Sequence, residues 1–133
     1  MTAYHPNLFQ VSDQDFEARV LHSTLPVIVD FTAEWCPPCH VLAPLFAQLS
    51  DGYAEKLHFA KMDTDKNVLV PARLGIQSVP TLVLFAGGRP VGRVVGPRPG
   101  RLQQSIDHLL AEANTEMTGE KAVPRAEGVL KFL

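Results

Sequence analysis

The sequence predicts an α/β fold of three layers, in which helices flank both faces of a mixed central sheet. Helix and strand patterns alternate along the chain without an internal repeat. The strand candidates are short runs rich in β-branched residues, which is typical of buried strands. Gly87-Gly88 separates the last two strand candidates and indicates a C-terminal antiparallel hairpin. A chain of 133 residues is long enough to bury such a core as one domain.

The first elements are a strand, a helix and a second strand. The apolar stretch Leu8–Val11 begins the fold. Ser12 is the expected N-cap of the first helix, since its hydroxyl can accept a backbone N–H. Asp13 and Asp15 would then lie at the positive end of the helix dipole, which favours acidic side chains. The β-branched run Val27–Phe31 is short enough to be a buried strand.

A longer helix is expected directly behind the segment Trp35–His40. Its apolar residues follow the i, i+3, i+4, i+7 spacing of one helical face, namely Leu42, Leu45, Phe46 and Leu49. Pro44 should kink this helix, and Gly52 marks its end.

The second half of the chain continues the alternation. Leu57–Asp63 is the next strand candidate, and a short helix around Asn67–Leu74 stops at Gly75. Thr81–Phe85 and Val91–Val95 form the expected hairpin. Because strands joined by helices usually connect through right-handed crossovers, we expect the first three strands to be parallel, with the hairpin adding antiparallel strands at one side.

The domain is expected to span residues 8–113. Its last helix carries an apolar face of Leu102, Ile106, Leu109 and Leu110. Residues 1–7 are interpreted as an N-terminal extension. Residues 114–133 are interpreted as a tail, which we expect to be mobile because it is polar and punctuated by Pro and Gly.

Composition excludes several classes of function. The net charge is only −2, and no Lys/Arg cluster marks a surface for nucleic acid. No apolar run reaches the 18 residues that a membrane span needs, so no membrane partner is expected. The first residues lack the basic start and apolar stretch of a signal peptide, which favours the cytoplasm.

The only two cysteines, Cys36 and Cys39, lie three residues apart at the start of the long helix. That spacing places two side chains about 5–6 Å apart, which suits a disulfide that opens and closes with little backbone movement. Helix N-terminal amides favour an anion, so the Cys36 thiolate should be stabilised and should attack first. Cys39, further into the helix, should be shielded and act second.

Three other interpretations of this pair remain open. Two buried structural cysteines are one. A zinc site is another, but it needs four ligands and no second cysteine pair exists. The segment Cys36–His40 also spells the attachment motif of c-type haem, which would require export and an apolar haem pocket. We expect neither a metal nor a cofactor, with the disulfide itself as the redox group.

Several separated motifs resemble the thioredoxin family. Val29–Cys39 is similar to its active-site stretch, and the likeness continues through Ala60-Lys61, Gly75–Thr81, Gly88 and Gly96. The resemblance covers about Leu8 to Ala113. It implies a mixed sheet with four helices and the reduction of protein disulfides through a mixed disulfide.

The resemblance also implies a role for each matching residue. Cys36 corresponds to the attacking cysteine and Cys39 to the resolving cysteine. Asp30 corresponds to a buried carboxylate that accepts the resolving thiol's proton, and Lys61 to the lysine beside it. An aspartate inside an apolar strand is costly to bury as an anion, so its pKa should be raised.

The resemblance further implies a surface that holds the substrate. Pro80 corresponds to a cis-proline whose preceding residue, Val79, pairs its backbone with an extended client. Trp35, Pro37, Val79, Gly96 and Pro97 are expected to line an apolar patch around an exposed Cys36 sulfur.

Three positions differ from most members of that family. Pro37 replaces a glycine, His40 replaces a lysine, and Thr32 occupies a position that is often aromatic. Residues between and beside the cysteines tune the thiolate, so these changes bear on redox potential and partner choice. The leading hypothesis is a reductant of client proteins, itself reduced by a flavoenzyme of the thioredoxin-reductase type. An oxidase or isomerase, and a non-catalytic binding or chaperone module, are the alternatives.

Overall fold

A computed structural model describes the backbone of residues 4–118 and the side chains of residues 4–114. Five strands form one sheet, in the order β1-β3-β2-β4-β5. The strands are β1 (Leu8–Gln10), β2 (Val27–Thr32), β3 (His58–Asp63), β4 (Thr81–Ala86) and β5 (Arg89–Val95). The main helices are α1 (Pro37–Ser50), α2 (Leu69–Leu74) and α3 (Leu102–Thr118). A wide helical turn, Glu17–Leu21, precedes β2.

The sheet is mixed, as predicted, with three parallel strands and the antiparallel hairpin at one side. Strands β1, β3 and β2 are parallel, whereas β4 runs antiparallel to β2 as well as to β5. Thr32 lies beside Asp63 at the end of β3, and Phe31 lies beside Thr81 at the start of β4. The connection from β3 through α2 to β4 therefore leaves and re-enters the sheet at the same end of the strands. A six-residue helix spans only about 9 Å, too little to carry the chain back along the sheet.

Helices cover both faces of the sheet, which gives the three predicted layers. On one face, the Glu17–Leu21 turn and α2 pack on the odd-numbered residues of β2, with Phe16, Val29, Phe31, Met62, Val70 and Phe85 in the core. On the other face, α1 and α3 cover Ile28, Leu42, Phe46, Phe59, Leu84 and Ile106. Asp30 alternates to the same face as Ile28, so it points toward α1.

One predicted boundary and one predicted role differ from the structure. Ser12 does not begin the first helical turn. It exchanges hydrogen bonds with Asp15 in the manner of a capping box: the Ser12 N–H donates to the Asp15 carboxylate at 2.7 Å, and the Ser12 hydroxyl accepts the Asp15 N–H at 3.4 Å. Asp13 caps α2, accepting hydrogen bonds from the N–H groups of Leu69 and Val70 at 3.0 and 2.9 Å. The Asp13 carboxylate, which the sequence predicted to stabilise the first helix, therefore caps a different helix that the fold brings close to it.

The two chain ends also differ from the prediction. Asn7, assigned to an extension, is buried and anchored to the domain. At the other end, α3 continues to Thr118, so residues 114–118 are helical rather than the start of a tail. The rest of the predicted tail, residues 119–133, lies outside the described residues.

Candidate active site

The Cys36–Cys39 pair lies where β2 gives way to α1. Cys36 is the N-cap residue of α1, with the extended backbone that this position requires. Pro37 follows at the first helical position, where a missing N–H and a fixed φ cost the helix nothing. The two cysteines form a disulfide with Cα atoms 5.3 Å apart. The amide N–H of Cys39 points at the Cys36 sulfur, 3.3 Å away, so the helix N-terminus faces that sulfur.

Burial does not separate the two cysteines in this oxidised state. Each is only 2% exposed, so the expectation of an exposed Cys36 sulfur was wrong. The reason is tertiary: Ala33 and Val79 pack against the disulfide, and the carbonyl oxygen of Val79 lies 3.7 Å from the Cys36 Sγ. The two cysteines differ in their surroundings. The Cys36 sulfur accepts the N–H of Cys39 at the start of α1, whereas Cys39 lines the cleft beside Asp30.

Asp30 lies in β2, opposite Lys61 of β3 in the parallel register. It is 3% exposed, and its Oδ1 has no hydrogen-bond partner among the described residues. Burial raises the pKa of Asp30 from 3.8 to about 7, and the positive charge of Lys61 opposes part of that rise. Asp30 is therefore a carboxyl group that can gain or lose a proton near neutral pH.

A cleft of about 350 Å³ lies beside Asp30 and Cys39. Lys61 and the more exposed Glu34, His40 and Lys66 also line it, so the cleft extends from the buried carboxyl group to the surface. Asp30, Lys61 and Cys39, which lie on β2, β3 and α1, thus line one cleft.

The Val79–Pro80 peptide bond is cis, as the resemblance implied. Pro80 is buried and Val79 is half-buried against the disulfide. The carbonyl of Pro80 accepts a hydrogen bond from the N–H of Gly96 at 2.9 Å, which holds the end of β5 beside this loop. Gly96 has a φ of +60°, a conformation that suits glycine. Val79 is thus a neighbour of Cys36, and Gly96 is bonded to Pro80, the residue after Val79.

The predicted apolar patch is only partly present. Trp35 is 69% exposed, and Pro37 is exposed beside Cys36, but Pro97 is buried rather than on the surface. The indole Nε1 of Trp35 donates a hydrogen bond to Asp65 at 2.9 Å. Sequence reasoning did not identify Asp65, since nothing in the local pattern of the turn after β3 links it to Trp35.

The family model for thioredoxin matches residues 7–108. The chain belongs to the thioredoxin family. Thioredoxin 1 of Nostoc sp. is 44% identical over 102 residues, covering 76% of this chain and 95% of that protein. A thioredoxin of Synechocystis sp. is 47% identical over 90 residues, covering 68% of this chain and 84% of the relative. Thioredoxin M4, chloroplastic, of Arabidopsis thaliana is 39% identical over 108 residues, covering 80% of this chain and 54% of the relative.

Membership of the thioredoxin family and the Cys36–Cys39 disulfide identify the activity as thiol–disulfide exchange. The protein is a protein-disulfide oxidoreductase. Within residues 4–118, none of the helices combines the length and apolarity that crossing a bilayer requires. Among the described side chains, no three metal-ligating residues are arranged to hold an ion.

Proposed function

We propose that this thioredoxin-family protein works as a reductant of client protein disulfides, with Cys36 as nucleophile and Cys39 as resolving thiol. The observation that carries this assignment is the Cys39 amide directed at the Cys36 sulfur from the first turn of α1. Hydrogen bonds to a charged form favour that form, so this amide and the helix dipole stabilise a thiolate at Cys36. The dithiol carries the electrons, and no other cofactor is needed.

The reaction proceeds in two exchanges. The Cys36 thiolate attacks one sulfur of the client disulfide, forms a Cys36–client mixed disulfide and releases the client's other sulfur as a thiolate. Cys39 then loses its proton and attacks the Cys36 sulfur, which restores the Cys36–Cys39 disulfide and releases the second client thiolate. Two electrons pass to the client.

Asp30 is proposed to accept the proton of Cys39. Its pKa of about 7 makes it a base of useful strength near neutral pH, and both residues border the same cleft. Lys61 is proposed to adjust the charge of Asp30 through its position opposite that residue in β3. The backbone of Val79, with Pro80 and Gly96 behind it, would hold the extended client, while Trp35 and Pro37 flank its contact with Cys36.

Trapping tests these roles directly. In Cys39→Ser, attack by Cys36 proceeds but resolution cannot, so stable mixed disulfides with client proteins should accumulate. Cys36→Ser is the matched control and should form none. Alkylation of the reduced protein near neutral pH should label Cys36 before Cys39, as read by mass spectrometry. Preferential labelling of Cys39 would reverse the assignment.

The direction of exchange needs its own measurement. The protein should accelerate the reduction of insulin by dithiothreitol, which a binding or chaperone module would not do. Equilibration against glutathione should then give a potential nearer to the reducing members of the family, about −270 mV, than to strong oxidants near −120 mV. A value close to the latter would favour the oxidase or isomerase alternative.

A reductant needs a supply of electrons and a reducing compartment. We propose that a flavoenzyme of the thioredoxin-reductase type restores the dithiol, and that the protein contributes to electron transport and redox homeostasis in the cytoplasm. Compartments that keep thiols reduced suit a reductant, which supports this location. The chloroplastic relative indicates that family members also work elsewhere.

A further inference from the structure

His40 forms a contact with the active-site loop that the proposed mechanism leaves unused. Its ring Nε2 lies 2.5 Å from the backbone oxygen of Glu34, six residues earlier. A carbonyl oxygen can only accept, so Nε2 carries the proton and donates this hydrogen bond. The ring thereby links α1 to the loop that enters it.

The loop that this hydrogen bond holds leads directly into Cys36, the proposed nucleophile. Glu34 precedes Cys36 by two residues, and the N–H of Cys36 bonds to the carbonyl of Ala33 at 3.3 Å. On the other side, Asp65 accepts the indole N–H of Trp35, and Lys66 lies 3.9 Å from the Glu34 carboxylate. These contacts come from the turn after β3. From α1, the backbone N–H groups of Cys39 and His40 reach the Cys36 carbonyl, and the His40 ring adds a side-chain contact to the preceding loop.

The disulfide and the dithiol depend on this contact to different extents. In the oxidised protein, the covalent bond to Cys39 fixes the Cys36 sulfur whatever the loop does. In the dithiol that bond is absent, and the position of Cys36 depends on the noncovalent contacts of residues 33–36. A nucleophile held in its attacking geometry reacts faster than one that samples several positions.

We propose that His40 is a positioning residue for the reduced enzyme, and that its hydrogen bond to the Glu34 carbonyl holds Cys36 in place for attack on client disulfides. This inference rests on the proposed role of Cys36 as nucleophile. It assigns to His40 a specific function at a position where most thioredoxins have lysine.

Two variants of His40 separate hydrogen bonding from bulk. His40→Leu removes the donor, whereas His40→Gln retains an N–H donor at a similar reach. His108→Leu is the matched control, because His108 is an exposed histidine on α3 whose partner is Glu112, away from the loop. Two second-order rate constants are measured for each: attack of the dithiol on insulin, and reduction of the protein's own disulfide by dithiothreitol.

His40→Leu should lower the rate of attack on insulin about three- to tenfold, the range expected for one lost hydrogen bond. His40→Gln should restore most of that loss. Reduction of the disulfide by dithiothreitol should stay within about twofold in both variants, since the covalent ring already fixes Cys36. His108→Leu should leave both rates unchanged.

Other outcomes would overturn the proposal. Equal losses in both rates would mean that His40 affects the fold or the disulfide generally, and a Gln variant as slow as the Leu variant would exclude the hydrogen bond. Unchanged rates in His40→Leu would remove the role altogether. Failure of the unmodified protein to reduce insulin would instead contradict the proposed function, so the two failures are distinguishable.

Discussion

Asn7 and Asp30 are both polar and buried, but they lie at opposite ends of the sheet and have opposite hydrogen-bonding states. The Asn7 amide donates to the carbonyls of Ser50 and Leu57 at 2.9 and 2.8 Å, and its oxygen lies 2.9 Å from the His58 ring. Asp30 has an oxygen with no partner among the described residues. A satisfied buried group supports the fold, whereas an unsatisfied one destabilises it.

The difference indicates which end of the molecule is structural and which is chemical. Asn7 fastens the entry to β1 onto the end of α1 and the start of β3. Asp30 borders the cleft beside Cys39, where a carboxyl group that titrates near neutral pH can serve proton transfer. Buried polarity alone therefore does not identify a site. The unpartnered Oδ1 and the raised pKa of Asp30 are what support its proposed role in proton transfer.

The largest expected change in stability is a gain from Asp30→Asn in the oxidised protein. A pKa raised from 3.8 to about 7 corresponds to roughly 4 kcal/mol of destabilisation once the group is ionised in both folded and unfolded states. The penalty is absent below the unfolded pKa and is complete above pH about 7. Urea unfolding at pH 8 should therefore show a gain of up to roughly 4 kcal/mol, which shrinks as the pH falls toward 4.

The same variant should slow the resolving step, which is measured as the decay of a Cys36 mixed disulfide. Asp51→Asn is the matched control, because Asp51 is exposed at the end of α1 and pairs with His5. It should produce no comparable gain at pH 8. If Asp30→Asn were no more stable than the unmodified protein and resolved as quickly, Asp30 would be a structural residue like Asn7.

Asn7→Ala should have the opposite effect on stability and none on chemistry. Removal of the amide leaves the Ser50 and Leu57 carbonyls without these donors in the interior, at a cost of about 2–3 kcal/mol. The free energy of unfolding should fall by that amount, while the rate of insulin reduction at 25 °C stays within twofold. A large loss of activity in the folded variant would show that this end also influences the site.

Asp13→Ala tests a smaller structural contact, the cap of α2. Its carboxylate accepts two N–H groups at the start of that helix, and loss of such a cap costs about 1 kcal/mol. Chemical denaturation should show this decrease. Gln14→Ala, at an exposed neighbouring position, is the control and should change stability by less than about 0.5 kcal/mol. Equal effects would mean that the cap contributes nothing specific.

Pro37→Gly should produce the smallest change, a rise in reduction potential of a few tens of millivolts at most. Pro37 has no N–H near the Cys36 sulfur, and its fixed φ leaves the reduced loop less freedom to lose when the ring closes. Glycine reverses both effects and favours the dithiol by about 1 kcal/mol or less, where ~1.4 kcal/mol corresponds to ~30 mV. Equilibration against glutathione measures it, and a clear fall in potential would contradict the prediction.

Much of this molecule could be predicted from local sequence. The spacing of Cys36 and Cys39, the proline at the first position of α1 and the β-branched run of β2 are consequences of neighbouring residues. So is the hairpin, because Gly87 and Gly88 both adopt the positive φ that its turn requires. These features need no knowledge of distant contacts, which is why the α/β class and the location of the redox pair followed from the chain alone.

Tertiary structure decided what depends on strand order and on the path of each connection. The direction of β4 follows from where α2 returns the chain, and the burial of Cys36 follows from Val79 packing against it across 43 residues. Periodicity specifies which face of an element is apolar, but it carries no information about which distant element covers that face. The sequence therefore determined the chemistry at Cys36 and Cys39, while the fold determined that Asp30, whose Oδ1 has no partner among the described residues, shares a cleft with Cys39.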